Sequence, residues 1–250
     1  MKVEHLDIFP HYGRQKTEAS KLKRFLFEIV PQHTLRPFVS ELRCWIVRLR
    51  TRNVHCQFLG SRNVLVNVGA GENGHSGWIN IDIAPRPGIN CVSDCRKRLP
   101  LPNSSARAIY SEHFFEHLDY TEEIPYFLAE CHRVLAPGAI LRLVVPDAEA
   151  YLRAYCEGSW DKLAQLRTLK GRRDHWIGST YNTRMELINA VFRQGAEHKF
   201  AYDYETLEFV LNHAGFRSIH RRQFGESALP DLHIDDPKRA SESLYVEAAK

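Results

Sequence analysis

The chain has 250 residues, of which 44% are hydrophobic and 26% charged, and its formal net charge is +4. These values are typical of one folded domain of the larger kind with room for a small appendage. The sequence contains no run of 18 apolar residues, so no membrane span is predicted. The small net charge argues against a dedicated nucleic-acid binder, so no nucleic-acid partner is expected. The first thirty residues lack the apolar stretch of a signal peptide, which predicts a cytoplasmic protein.

Residues 1–60 are predicted to form a basic N-terminal helical extension, since they hold 11 lysines and arginines against 5 aspartates and glutamates. Apolar residues at helical spacing predict helices over Lys21–Val30 and about Pro37–Arg50. One side of the second helix is apolar: Phe38, Leu42, Trp45, Ile46 and Leu49. We expect the pair to cap the domain, with Trp45 in the core. Covering the cofactor and peripheral contact with a membrane surface are the alternatives.

Residues 61–250 are predicted to be one domain organised around the stretch Val64–Asp82, VLVNVGAGENGHSGWINID. Its two apolar runs predict buried parallel strands. Gly69-Ala70-Gly71 follows the first strand, where small residues let a ligand approach the backbone. Asp82 ends the second strand, where a carboxylate can accept hydrogen bonds from ribose hydroxyls. The stretch therefore predicts a nucleoside-type cofactor at the carboxyl edge of a sheet. Nine residues, Gly69–Gly77, join the two strands, which leaves no room for a full crossover helix.

The rest of the domain alternates between strand and helix patterns. Strands are predicted at about Val64–Val68, Trp78–Ile83, Ile89–Val92, Ala106–Tyr110, Ile140–Val145, Phe216–Phe224 and Ser243–Ala249. Helices are predicted from Asp119, in a capping box with Glu122, to Pro137-Gly138, and over Asp203–Ala214. This order predicts a Rossmann-like, doubly wound α/β fold, with a mostly parallel seven-stranded sheet and a terminal antiparallel strand pair.

Residues 148–200 have a less regular pattern, with helical pieces at Ala148–Tyr155, Trp160–Leu169 and Arg184–Phe192. They are predicted to be an insertion that covers the carboxyl edge of the sheet. Segments in that position commonly select the substrate.

Five segments resemble the class I S-adenosylmethionine-dependent methyltransferases: VNVGAG, GWINIDI, LPLPNSSARAIYSEHFFEHL, AECHRVLAPGAILRLVVPD and HKFAYDYETLEFVLNHAGF. Within that class the chain is most similar to the bacterial, methyltransferase type 11-like branch associated with polysaccharide and glycan gene clusters. The resemblance covers about Val64–Lys250. It implies S-adenosyl-L-methionine as cofactor and methyl transfer to a small-molecule or glycan acceptor, with a hydroxyl of a sugar or surface-glycan precursor expected.

The resemblance also implies a set of cofactor contacts. Asn67, Gly69, Ala70 and Gly71 would surround the methionine part; Asp82 would hold the ribose and Ile83 the adenine; Asp94 and the backbone of Cys95 would meet the adenine amino group; Ser111 and Glu112 would lie under the sulfonium. Many relatives carry an acid where Asn67 stands, so backbone carbonyls are expected to hold the methionine ammonium group here.

The expected reaction needs positioning more than covalent chemistry, because a sulfonium gives up its methyl group in an in-line displacement. A hydroxyl acceptor also benefits from a general base, and the near-neutral pKa of histidine side chains suits that role. His113, at the carboxyl end of a predicted strand, is the predicted catalytic base. His198 and Asp147 are the next candidates, followed by Tyr202. A contact role for His113 without proton transfer is the alternative.

The run His113-Phe-Phe-Glu116-His117 resembles the Glu-x-x-Glu-His metal motif of certain O-methyltransferases, and His198 is available as a further ligand. The first residue departs from that motif, so no metal is predicted. Three other functions remain open: a methyltransferase for another small molecule, a non-catalytic cofactor- or partner-binding module, and an NAD-type oxidoreductase. The last is disfavoured because no helix of normal length fits after the glycines.

Overall fold

A computed structural model describes residues 32–51, 53–167, 181 and 183–250. The predicted helix Lys21–Val30 and the predicted end of a helix at Leu169 lie outside the described residues. The strands are β1 Val64–Val68, β2 Ile79–Asp82, β3 Cys91–Val92, β4 Ala106–Glu112, β5 Leu135–Pro146, β6 Arg217–Arg222 and β7 Ser243–Ala249. The α-helices are α1 Gln32–Arg50, α2 Glu123–Val134, α3 Ala148–Cys156, α4 Trp160–Arg167, α5 Arg184–Arg193 and α6 Tyr204–His213.

The seven strands form one sheet in the order β3-β2-β1-β4-β5-β7-β6. Strands β1 to β5 pair in parallel. Strand β7 lies antiparallel between β5 and β6. The predicted fold class, including the terminal antiparallel pair, is therefore confirmed. Because β1 and β4 are neighbours while the chain runs outward from them in opposite directions, a ligand crevice is expected at their carboxyl ends.

The core packs against both faces of the central strands, which explains why these strands read as continuous apolar runs. Val66, Ile109 and Leu141 are fully buried, and so are Phe127 of α2 and Leu207 of α6. The sheet edge that carries the predicted cofactor residues is thus held by a fully packed interior.

The predicted bounds of the helix that follows β4 were wrong at both ends. The helix predicted from Asp119 begins at Glu123, because the Asp119 carboxylate instead accepts the amides of Thr121 and Glu122 in a turn. The reciprocal contact to the Asp119 amide comes from Glu123, at 2.8 Å, and not from Glu122.

The end of the same helix was also predicted too late. The helix ends at Val134, and strand β5 starts at once at Leu135, which pairs with Ala106. An irregular register between Ala106 and Ala108 absorbs the extra residues of β5, including Gly138 with φ of 75°. A bulge of this kind lets the chain pass the proline and glycine without leaving the sheet.

Helix α1 does not bury its apolar side, and the expectation that Trp45 fills the core was wrong. Trp45 is 52% exposed and Phe38 is 65% exposed. The helix attaches through polar side chains instead, with Glu41 paired to Arg96 and Arg48 paired to Asp94. No helix in the described parts of the chain has the length and apolarity needed to cross a lipid bilayer.

Helices α3, α4 and α5 pack on one another through a small apolar cluster of their own, which includes Tyr151, Leu163 and Leu187. Helix α3 starts directly after β5 and is capped by Asp147, which accepts the amide of Ala150 at 3.0 Å. The helical pieces predicted within residues 148–200 are present as far as the described residues extend.

Candidate active site at the carboxyl edge of the sheet

The link Gly69–Gly77 forms a compact turn at the carboxyl end of β1. The amides of Gly69 and Ala70 both donate to the carbonyl of Ile81, at 2.9 and 3.1 Å. Gly69 has φ of 71°, and a Cβ added there would lie 2.4 Å from the ring of Phe114. Only glycine satisfies both the backbone conformation and this close approach. No helix separates β1 from β2, as the short link predicted.

Asn67 is directed into this link. It is 2% exposed, and its side-chain Nδ2 donates to the carbonyl of Asn73 at 2.8 Å. An amide can donate this bond and a carboxylate cannot. The structure therefore gives Asn67 a role in shaping the loop, which an acid at the same position would not perform in this way.

Asp82 lies where the sequence predicted a ribose-binding carboxylate. One oxygen accepts the amide of Gly71 at 2.9 Å and the other accepts the amide of Ala84 at 2.8 Å. Each carboxylate oxygen can accept a second hydrogen bond. Asp82 is half-buried, as is Ile83 beside it, so the side chain is fixed and still able to receive a ligand hydroxyl.

The carboxylate of Asp94 already accepts more hydrogen bonds within the protein than its predicted role in binding adenine requires. It is 4% exposed, and its carboxylate accepts three bonds from Arg96, at 3.0 to 3.1 Å, and one from Arg48 at 3.4 Å. An adenine amino group would have to replace one of these donors, and Arg48 is the most distant. Beside Asp94 a cavity of about 440 Å³ opens between α1 and residues 97–102.

Cys95 is buried next to this acid. Its Sγ lies 3.9 Å from the carbonyl of Ser93, and burial raises the pKa of the thiol well above its usual value. A protonated, enclosed thiol is chemically inert, which fits the predicted use of its backbone alone.

Ser111 and Glu112 are the last two residues of β4, not residues after it as predicted. Ser111 is fully buried, and its Oγ has no hydrogen-bond partner among the described residues. Glu112 accepts the amide of Asp236 at 3.3 Å, and burial raises the pKa of its carboxyl group. The orphaned hydroxyl is the kind of polar atom that a bound ligand would satisfy.

His113 turns the chain sharply at the end of β4, with φ of 49°. Its Nε2 lies 2.9 Å from the hydroxyl of Ser243, and its Nδ1 lies 3.3 Å from Oε1 of Glu116. Left-handed backbone is uncommon for a histidine and persists only where the surroundings hold it. The imidazole is thus fixed from both sides at the sheet edge.

The other candidate bases occupy different surroundings. Asp147 is 5% exposed and forms an ion pair with Arg221 at 2.7 Å. Its backbone pairs with that of Tyr202 in an isolated parallel β-bridge. The hydroxyl of Tyr202 is buried and has no partner among the described residues. His198 instead lies beside His113, since its Nε2 is 3.8 Å from the same Glu116 oxygen. Both Asp147 and Tyr202 are therefore less well prepared than His113 to receive a proton.

Sequence reasoning missed Ser243. It is the first residue of β7, and because β7 runs antiparallel, its first residue lies opposite Pro146 at the carboxyl end of β5. No motif marks this serine. The antiparallel direction of β7 is the one feature that could have indicated that the first residue of this strand lies at the site.

Glu116, His117 and His198 form a group whose ligand atoms all lie within 4.8 Å of one another. Burial disfavours the charged form of Glu116, and the neighbouring His113, His117 and His198 lower its pKa only where they carry a positive charge. Burial lowers the pKa of His198 to about 4. At neutral pH the group therefore holds a carboxylate beside an uncharged His198.

Residues 80–143 match the family described as a methyltransferase domain. The matched segment contains β3 and β4 and most of β2 and β5, and with them Asp82, Asp94 and His113. No curated protein matches the sequence significantly.

Several solved structures are similar in shape at low sequence identity. One is a SAM-dependent methyltransferase from Archaeoglobus fulgidus, with 18% identity, 83% of this chain and 94% of that chain covered, and a TM-score of 0.43. A SAM-dependent methyltransferase from Thermotoga maritima has 16% identity over 90% of this chain and 99% of that chain, with a TM-score of 0.43. A third is the 1,6-didemethyltoxoflavin-N1-methyltransferase of Burkholderia thailandensis, at 13% identity, 87% and 83% coverage and a TM-score of 0.43.

The family match lies on the segment that the sequence had singled out. Over residues 80–143 the match agrees with the predicted methyltransferase class.

Proposed function

We propose that the carboxyl edge of β1, β2 and β4 binds S-adenosylmethionine and that His113 is the base for methyl transfer to a hydroxyl group. The observation that carries the proposal is the joint placement of Asp82 and the glycine link, where the Gly71 amide donates to Asp82 at 2.9 Å. This geometry brings a carboxylate with free acceptor capacity next to a backbone that has no bulky side chains. A ribose and a methionine tail need that combination.

The role of His113 is supported by its two fixed contacts. If Glu116 accepts the proton of Nδ1, then Nε2 carries the lone pair and faces the Ser243 hydroxyl, 2.9 Å away. An acceptor hydroxyl that takes the place of Ser243 as donor would meet the same lone pair. A carboxylate behind the imidazole also stabilises the cation that forms when the proton is transferred.

The acceptor is proposed to be a sugar or surface-glycan precursor, as the resemblance to glycan-associated methyltransferases implies. A cavity of about 550 Å³ between α3 and α4 supports this choice. Its lining is rich in hydrogen-bonding groups, including Glu149, Arg153, Gln165 and Ser241. Ser241 in this lining is two residues before Ser243 in the chain, and Ser243 contacts the proposed base. A polyhydroxylated ligand suits such a surface better than an apolar one does.

The test of cofactor binding is calorimetric titration of the full chain with S-adenosylhomocysteine and, separately, with NAD. We expect binding of the first only. Asp82→Ala should weaken it at least tenfold, since hydrogen bonds to a charged group contribute about 1.5–3 kcal/mol. Asp161→Ala, at an exposed position in the first turn of α4, is the matched control and should bind normally. Binding of NAD, or unchanged binding by the Asp82 variant, would contradict the proposal.

The test of catalysis is transfer of a labelled methyl group to sugar-nucleotide and glycan-precursor fractions of a cell extract. We expect His113→Asn to bind S-adenosylhomocysteine and lose turnover, and we choose asparagine because it tolerates left-handed backbone. His233→Asn, at an exposed histidine, should remain active. Binding without any labelled product from the natural chain would favour a non-catalytic cofactor-binding module. A labelled product outside the sugar fractions would favour another small-molecule acceptor.

We also propose that residues 1–60 are an extension that contacts an anionic membrane surface. The exposed large apolar residues of α1 are Phe38, Val39, Leu42, Trp45, Ile46 and Leu49. Arg43 and Arg50 are exposed on the same helix, and an apolar stripe flanked by cations is typical of helices that lie in a membrane interface.

Sedimentation with vesicles tests this contact. The full chain should bind vesicles that contain phosphatidylserine and should bind pure phosphatidylcholine weakly. Trp45→Ala should reduce binding roughly tenfold, as expected for one large apolar side chain. Trp160→Ala, at an exposed tryptophan on α4, is the control. Equal binding by both variants, or no vesicle binding, would exclude the contact.

A further inference from the structure

The carboxylate of Glu116 is buried without a hydrogen-bond donor in good geometry. The residue is 1% exposed, and neither of its oxygens has a hydrogen-bond partner among the described residues. The nearest ring nitrogens are Nδ1 of His113 at 3.3 Å and Nε2 of His198 at 3.8 Å, both measured to Oε1. An ionised carboxylate in such surroundings is costly unless a cation accompanies it.

In both histidines of the group, Nδ1 is engaged by a backbone carbonyl. Nδ1 of His198 lies 2.7 Å from the carbonyl oxygen of Val191, and Nδ1 of His117 lies 3.1 Å from the carbonyl oxygen of Glu197. A carbonyl can only accept, so each Nδ1 carries a proton, and Nε2 is the ring nitrogen left to bind a metal. In His198 this Nε2 lies on the side of the Glu116 carboxylate.

We propose that Glu116, His117 and His198 bind a divalent metal ion of the zinc class. Two imidazoles and one carboxylate form a ligand set that zinc uses in sites with an open fourth position, and the same set suits other first-row divalent ions. A histidine that binds a metal typically donates its other N–H to a carbonyl or carboxylate, and both histidines here already do so.

The ligand atoms need only a small contraction to meet one ion. A point equidistant from three atoms that are 4.8 Å apart, the upper limit here, lies about 2.8 Å from each, roughly 0.7 Å beyond a zinc–nitrogen bond. The backbone holds the two segments together, because the Glu116 carbonyl accepts the amides of Lys199 and Phe200, at 2.8 and 3.3 Å. Side-chain rotation is therefore sufficient to close the site.

There is also space beside the ligands. Glu116 and His198 line a cavity of about 10 Å³, to which Phe200 and Tyr202 contribute. This volume corresponds to about one water molecule. The buried hydroxyl of Tyr202 has no partner among the described residues, so a metal-bound water in this cavity would find a polar neighbour.

The site differs from the sequence-based expectation of no metal. That expectation treated His113 as the first ligand of a local motif. In the structure His113 lies outside the group, where it contacts Oε1 of Glu116, and His198 supplies the third ligand from 82 residues further along the chain.

Metal binding is tested on the full chain after chelator treatment and without S-adenosylmethionine. Calorimetry with Zn²⁺ should give one strong site, and Co²⁺ should produce the visible absorption of a low-symmetry site. Mg²⁺, which prefers oxygen ligands, should bind far more weakly. Glu116→Gln and His117→Gln should each weaken zinc binding by a factor of roughly 100 or more, since even partners outside the ligand set change affinity 10- to 100-fold.

His213→Ala is the matched control. His213 is exposed, and its Nδ1 lies 3.3 Å from the carbonyl of Phe209, but it belongs to no ligand group of the described residues. This variant should bind zinc as the natural chain does. Circular dichroism shows whether each variant is folded. If substitution of buried Glu116 disturbs folding, the variant of half-exposed His117 still tests the site.

The proposal is overturned if Zn²⁺ binds the natural chain no more tightly than it binds the folded His117 or Glu116 variant. It is also overturned if Mg²⁺ competes equally with Zn²⁺. Because no cofactor is present, the result is independent of methyl transfer. Zinc binding without S-adenosylhomocysteine binding would remove the proposed function alone, and the reverse would remove the metal site alone.

Discussion

Two clusters of the described residues that hold buried carboxylates are partnered in opposite ways. In the first, Arg142 is fully buried and donates two hydrogen bonds to Asp235, at 2.9 and 2.6 Å, and one to Glu247 at 3.0 Å. The remaining capacity of Glu247 is filled by Arg222 and the amide of Ala228. Every charge in this cluster has an opposite charge and a donor or acceptor.

The second cluster, around Glu116, contains a carboxylate and histidine ring nitrogens, and no lysine or arginine of the described residues pairs with it. Buried polar groups in folded proteins are normally satisfied, and an unsatisfied one calls for a functional explanation. The difference separates a cluster that fixes the last strands of the sheet from one that is prepared for a ligand. Each cluster should therefore respond differently to loss of its central charge.

The largest expected effect is that of Arg142→Met. The variant leaves two buried carboxylates without their cation, and we expect the free energy of unfolding in urea to fall by about 3–5 kcal/mol. Arg107→Met is the matched control, because Arg107 pairs with Asp231 at the surface, where both side chains are about one-third exposed. That change should cost no more than about 1 kcal/mol. Equal losses in the two variants would contradict a structural role for the Arg142 cluster.

A smaller effect is expected for Glu116→Gln in chelator. The lost charge has no donor in good geometry, so the free energy of unfolding should change by less than about 1 kcal/mol in either direction. With zinc at 100 times its dissociation constant, the natural chain should gain about 2.7 kcal/mol that the variant does not. Urea unfolding with and without zinc measures both quantities. A loss of several kcal/mol in chelator would mean that Glu116 is structural like Asp235.

The sequence was most informative where the relevant contacts are local. The stretch Val64–Asp82 predicted β1, the glycine turn and the carboxylate at the end of β2, because strand period and glycine conformation depend on neighbours in the chain. The order of strands and helices predicted the sheet for the same reason. The acceptor-side geometry was not predictable in this way, since His198 meets Glu116 across 82 residues and Ser243 meets His113 across 130.

Helix α1 shows a different limit. Its periodicity correctly predicted an amphipathic helix, but periodicity does not say which side faces the protein. The contacts of Glu41 with Arg96 and of Arg48 with Asp94 attach the polar side and leave Trp45 exposed. An amphipathic helix at the protein surface normally buries its apolar side and exposes its polar side to solvent. A helix that also binds a further surface can expose its apolar side instead.

The smallest expected effect is a dependence of stability on acid that arises from Glu247. Burial favours its neutral form, but the hydrogen bonds of Ser227, Ala228 and Arg222 and the charge of Arg142 outweigh burial and lower its pKa below the ordinary value of 4.5. The folded chain therefore binds this proton more weakly than the unfolded chain does. The stabilisation is fully present above about pH 4.5 and is lost as the pH falls through the lowered value.

Urea unfolding at several pH values between 7 and 3 measures this dependence. Below about pH 4.5 the natural chain should lose stability more steeply than Glu247→Gln, by an amount on the order of 1 kcal/mol. Glu72→Gln is the control, because Glu72 has an 80% exposed side chain and should leave the pH profile unchanged. Parallel profiles for the natural chain and the Glu247 variant would show that this carboxylate gains nothing from its partners. The two clusters would then not differ in the way described, because the fold would stabilise the carboxylate of neither one.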